Sequence, residues 1–206
     1  DVPAAVKLDF LRHAAEAYFR VQCEAIRACD PDHMVLGCRF AGLKGAHEAV
    51  WEVAGRFCDV VSFNCYPWCD LDRGVLFTDR SCRVPLTDEL RRFGKLTKRP
   101  MLVTEWSFPA LDSGLPCLYG CGIRFQTQAQ RATATRLFVE TFLSLPFMIG
   151  YDYFMWRDEP PEGLSDNFPE DTNYGLVSIW DEPYAELVQT FAELHRRDWT
   201  RPCKAP

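Results

Sequence analysis

Four times along this chain a short apolar run closes on polar or aromatic residues and gives way to a stretch with helical spacing. That alternation limits the fold more than any other feature, because strands alternating with helices build parallel sheets with right-handed crossovers. The apolar runs cover residues 34–40, 58–66, 99–109 and 147–156. A helix precedes them over 8–29, with Leu11, Ala15, Tyr18, Val21, Ala25 and Ile26 as its apolar face and Asp30-Pro31 as its stop. Further helices are expected over 46–57, from an N-cap at Thr87 with Leu90, Phe93 and Leu96 on one face, and over 128–145 up to Pro146. A last one is capped by Asp181, carries Pro183 in its first turn and presents Tyr184, Leu187, Val188, Phe191 and Leu194. Residues 67–85, 107–124 and 157–173 read as irregular loops, and long loops in small domains tend to be functional. The fold class is therefore α/β, with four strand–helix units that match half of an eightfold barrel. A doubly wound open sheet is the alternative, although no glycine-rich phosphate loop follows any strand.

The size suits one domain over residues 1–206. With 48% hydrophobic and 14% aromatic residues the chain can bury a core, and a net charge of −6 without a long basic run argues against nucleic acid or an anionic membrane as partner. The most apolar region, 137–156, contains Glu140, Pro146 and Asp152 and does not read as a membrane span. The first residues form no apolar run of signal-peptide type. Ten cysteines are many for this length: Cys23, Cys29, Cys38, Cys58, Cys65, Cys69, Cys82, Cys117, Cys121 and Cys203. Several fall in expected helices and strands, where a thiol is a small hydrophobe. Cys65-x3-Cys69 and Cys117-x3-Cys121 lack the spacing of structural zinc sites, so no metal and no cofactor is expected. A disulfide between Cys117 and Cys121 stays open. The four histidines show no metal spacing, and no G-x-S-x-G motif occurs.

The chemistry is expected at strand ends, since ligands of parallel α/β folds sit at the carboxyl edge. In RPMLVTEWSFP (99–109) the apolar run Met101-Leu102-Val103 ends in Thr104, Glu105 and Trp106. Glu105 is the candidate catalytic carboxylate; the other reading is the start of a solvated loop. Tyr66, at the end of the preceding strand, is placed to hydrogen-bond it and support its charge. Arg39 ends the first strand and suits a substrate hydroxyl or a structural ion pair. Asn64 suits a sugar hydroxyl or a loop contact. Trp156 ends the last strand and suits stacking on a sugar ring or plain packing. Trp106, Trp68 and Asp158 are weaker candidates, and Asp152 reads as a buried, paired structural acid.

These residues resemble the glycoside hydrolases of clan A, the large (β/α)8-barrel group, and within it β-agarase-like and β-galactosidase-like enzymes. IRACDPDHMVLGCRF (26–40) resembles the fourth helix and fifth strand of such barrels, FCDVVSFNCYPW (57–68) the sixth strand, and KRPMLVTEWSF (98–108) the seventh. FMIGYDYFMWRDEP (147–160) resembles the eighth strand and NYGLVSIWDEPY (173–184) the approach to the last helix. The resemblance implies the C-terminal (β/α)4 portion, strands five to eight, of a TIM-type barrel. It implies a retaining β-glycoside hydrolase of polysaccharides, with Glu105 as nucleophile and Trp156 flooring the cleavage subsite. The family's acid/base Glu follows an Asn at the end of strand four, and no Asn-Glu dipeptide occurs in these residues. The acid/base is thus expected outside this chain, in a first half-barrel belonging to a longer protein or to a partner, a homodimer partner included. The alternative is a non-catalytic carbohydrate-binding or interaction module derived from such a barrel.

Overall fold

A computed structural model describes residues 2–199. In chain order the elements are α1 (Ala4–Cys29), α2 (Glu48–Phe57), β1 (Val61–Asn64), β2 (Trp68–Asp70), β3 (Val75–Phe77), α3 (Leu86–Thr97), β4 (Met101–Glu105), α4 (Gln128–Leu143), β5 (Met148–Tyr151) and α5 (Ala185–His195), with a single 3-10 turn at Leu111–Ser113. The chain divides into two compact units. The first takes residues up to 65 together with 90–104 and 147–151; the second takes 66–89, 105–146 and 152 onward.

In the first unit the sheet order is β1-β4-β5. β4 and β5 run parallel, Met101 opposite Met148 and Val103 opposite Tyr151. β1 runs the same way. Its first residue, Val61, donates its N–H to the Pro100 carbonyl, and its last, Asn64, is reached by the Thr104 side chain. Continuous burial of Val61, Ser62 and Phe63 shows why this run lacks polar alternation: both faces are covered. Helix α2 supplies the main cover. Its Trp51 is fully buried, stacked on Phe40 at 4.3 Å and tilted against Phe93 at 4.6 Å between centroids. Gly55 permits the close approach of α3's end: a Cβ there would stand 2.1 Å from the Thr97 carbonyl oxygen.

Several sequence expectations need correction here. Residues 34–40 form an extended segment rather than a ladder strand, with one parallel bridge, Phe40 to Phe63. Gly37 at φ 84° and Arg39 at φ 51° turn the chain out of the pleat, and the Ser62 hydroxyl, rather than a backbone N–H, takes the Leu36 carbonyl at 2.7 Å. The buried stripe of α1 is Ala15, Phe19 and Cys23, not the face through Tyr18, Val21 and Ile26, which are 49%, 56% and 44% exposed. Both stripes have helical spacing, and only tertiary packing chooses between them. Helix α3 begins at Leu86, with Asp88 and Glu89 N–H bonded to the Pro85 carbonyl, so Thr87 lies inside its first turn rather than capping it.

The second unit is built on α4 and α5, which pack together around Trp106, Phe138, Tyr153 and Phe191. Residues 67–85, expected to be irregular, contain the hairpin β2–β3 with Trp68 opposite Phe77. Asp70 accepts the Arg73 N–H at 3.1 Å, and Gly74 at φ 61° completes the turn without a Cβ penalty. The fourth apolar run is shorter than expected, since β5 stops at Tyr151 and Asp152 beyond it is exposed, not buried and paired. Helix α5 starts at Ala185. Asp181, at φ 61°, sits in a turn closed by Ser178 and Glu182, and Pro183 is bridged to Val177, so neither serves the helix as foreseen. Cys117 is buried, Cys121 exposed, and both are free thiols, which removes the disulfide alternative. Cys203 lies outside the described residues. Among the described residues no helix is long and apolar enough to cross a membrane, and no group of three or more His, Cys, Asp or Glu side chains is placed to hold a metal ion.

Candidate active site

Glu105 is the last residue of β4, where the ladder ends and the side chain is half-buried. The Tyr66 hydroxyl donates to Glu105 Oε1 at 2.8 Å. Burial first, and then the hydrogen bond and charge of Glu105, push the Tyr66 phenol far above its ordinary range, so it stays a protonated donor. Tyr174 packs beside it with ring centroids 6.0 Å apart. Gly122, at φ 84°, brings the loop backbone against the Tyr66 ring: a Cβ built there would lie 3.6 Å from Cδ1.

Two residues after Glu105, Ser107 enters a buried polar network that the sequence did not announce. Arg131 of α4 is fully buried. Its guanidinium donates to Asn173 Oδ1 at 2.9 Å, to the Tyr153 hydroxyl at 2.8 Å and to the Gly175 carbonyl at 2.8 Å. The Ser107 hydroxyl lies 3.0 Å from the Tyr153 hydroxyl and 3.2 Å from the Tyr174 carbonyl. With one proton to give, Ser107 can serve the carbonyl while Tyr153, which already accepts from Arg131, donates to Ser107. The chain segment immediately after Glu105 is thereby fixed to α4, and Trp106 locks it further by stacking on Phe138 at 3.7 Å and 9°.

Asp158, flagged in the sequence as a weak substrate contact, closes the same network. It accepts both bonds from Asn173 Nδ2, the Gly175 N–H at 2.7 Å and the Tyr184 hydroxyl at 2.6 Å. Burial raises its pKa, and those donors together with the Arg131 charge work in the opposite direction. A second buried acid, Glu159, accepts the Thr172 N–H at 3.1 Å and is hydrogen-bonded to Glu170. Burial, offset by the Thr172 bond and reinforced by Glu170, lifts Glu159 to about 7.

The structure thus brings Tyr66 and Glu105 into direct contact. Trp156 stands 69% exposed just before the bridge of Arg157 to Val177. Trp106 is 0% exposed and is corrected from a substrate contact to a core side chain. Arg39 and Asn64 belong to the first unit. There Arg39 is exposed in its left-handed turn, and half-buried Asn64 accepts the Thr104 hydroxyl at 3.3 Å.

No family model matches the chain. In sequence it is similar to β-agarase B of Vibrio sp. (strain JT0107), 25% identical over 186 residues, and to β-agarase A of the same strain, 29% identical over 179 residues. These alignments take in 88% and 86% of this chain but 17% and 16% of the two enzymes. In structure it is similar to the agarase AgWH50C, with TM-score 0.79 and 28% identity over 96% of this chain and 25% of that one. It is equally similar to PfGH50B, with TM-score 0.79 and 26% identity over 96% of this chain and 26% of that one. The chain spans about a sixth of the curated relatives' length and about a quarter of those solved structures. The class these likenesses define is an α/β fold with parallel strands, of the kind found in agarase structures.

Proposed function

We propose that this chain is part of a retaining β-glycoside hydrolase that cleaves agar polysaccharide by double displacement, with Glu105 as the nucleophile. The observation that carries the reading is the Tyr66–Glu105 hydrogen bond at the carboxyl end of a parallel strand, in a chain similar to two β-agarases. Glu105 attacks the anomeric carbon and forms a glycosyl-enzyme, which water then hydrolyses. Tyr66 orients the attacking oxygen and Trp156 stacks on the sugar. The acid/base carboxyl comes from outside these 206 residues, about 5–5.5 Å from Glu105 as retention requires. No cofactor takes part.

The segments 34–40, 58–66, 99–109 and 147–156 then take the places of strands five to eight of a TIM-type barrel, the first of them joined here by a single bridge. In the first unit, Met34 and Leu36 on the segment 34–40 are 65% and 39% exposed, and Ile149 of β5 is 52% exposed. Phe10 on α1 is 74% exposed. Apolar surface of this kind supports a further half-barrel, or a partner supplying one, as its cover.

The test is hydrolysis of agar by the full-length protein that carries this sequence, with the anomeric configuration of the first product followed by NMR. Retention is expected, and Glu105→Gln should lower kcat by about 10⁴-fold or more. Inversion, or an active Glu105→Gln variant, refutes the assignment.

A further inference from the structure

Within the second unit an open groove of about 380 Å³ lies on the hairpin β2–β3 and the start of α4. Small-molecule sites span roughly 300–1,000 Å³. Trp68, Asp70, Asp72, Arg124, Gln126 and Gln130 line it. Trp68 and Asp70 share one face of β2 because side chains two apart on a strand point the same way, while Cys69 between them is buried. An indole beside carboxylates and carboxamides is a surface for a neutral, hydroxyl-rich ligand: the ring offers an apolar plane, and the planar polar groups bond paired hydroxyls. A metal cation is a poorer fit. Asp70 is already engaged by the Arg73 N–H at 3.1 Å and the Arg73 guanidinium at 3.9 Å.

The groove is tied to Tyr66 in two ways. Trp68 follows Tyr66 by two residues, about 6–7 Å along an extended chain. Arg124, on the groove wall, donates to the carbonyls of Cys117 at 2.7 Å, Gly120 at 3.2 Å and Gly122 at 3.2 Å, and so holds the loop that packs on Tyr66.

We infer that this groove is an accessory saccharide subsite, which holds a sugar of the same polysaccharide chain away from the one at Glu105, with Trp68 as its stacking platform. The inference rests on the glycosidase reading above and adds a preference for longer substrates.

Cleavage by the full-length protein is to be measured on the shortest agaro-oligosaccharide it accepts and on one several sugars longer. Trp68→Ala should raise KM for the long substrate about 10-fold more than for the short one, equivalent to about 1.4 kcal/mol of binding. Trp68→Phe should restore most of that difference, and Asp72→Ala, on the exposed loop tip, should reproduce part of it without burdening the fold. Equal effects of these variants on short and long substrates, or none on either, overturn the subsite while leaving Glu105 in place. If the wild type cleaves neither substrate, the glycosidase reading fails on its own. Direct titration with the long oligosaccharide then decides the groove: weaker binding by Trp68→Ala upholds it, and equal or absent binding overturns it.

Discussion

A carboxylate at the end of a buried strand is costly unless its charge is met, and the Tyr66 hydroxyl donates to Glu105 at 2.8 Å. Hydrogen bonds to charged groups contribute about 1.5–3 kcal/mol, so Tyr66→Phe should lower kcat about 10–100-fold with KM little changed, as steady-state kinetics on the full-length protein would show. This pair was legible because both residues close apolar runs and the runs were expected to be neighbours. Trp106 was not. A Trp beside a strand-end Glu reads as a rim aromatic, and nothing local reveals that Phe138, thirty-two positions on, offers it a parallel face. Arg131 was missed for a similar reason. A cation on a helix reads as solvated, and its one signal is the company of Ala132, Ala134 and Thr135, small residues that let α4 lie close to its neighbours and bury the guanidinium.

Among the elements, α2 and the end of α3 meet at Gly55, where a methyl group has no room. Gly55→Ala should destabilise the fold by about 1–3 kcal/mol in denaturant unfolding, as overpacked interiors do. The strap that carries Glu159 and Glu170 has a pH signature. Folding raises Glu159 from 4.5 to about 7. The folded state therefore binds a proton that the unfolded chain has already released. The stability this provides is full below about 4.5 and is lost as the pH rises through about 7. Glu159→Gln keeps an acceptor for the Thr172 N–H and a donor for Glu170. Thermal melts should show variant and wild type alike near about pH 5 and the variant higher near about pH 8. The helices and the central strands could be read from apolar spacing, although neither foreseen cap, Thr87 nor Asp181, serves its helix. The segment 34–40 could not, because Gly37 and a left-handed Arg39 break its pleat inside an otherwise strand-like run. The β2–β3 hairpin carried a visible cue in Gly74, but strands of three residues are too short for alternation to show.

For the whole molecule, the alternation of strands and helices is what made the α/β class legible. The exposed Phe10, Met34 and Ile149 side chains fit the larger body proposed above as their cover. One covalent event defines the proposed function of that body: a sugar bonded to Glu105. A 2-fluoro glycoside with a good leaving group, incubated with the full-length protein and followed by peptide mass mapping, isolates that event. The expected result is stoichiometric inactivation, with one glycosyl adduct on the peptide containing MLVTEWSF, at Glu105. Full labelling of a different carboxylate, or steady cleavage of the substrate by an enzyme whose Glu105 stays unmodified, would contradict it.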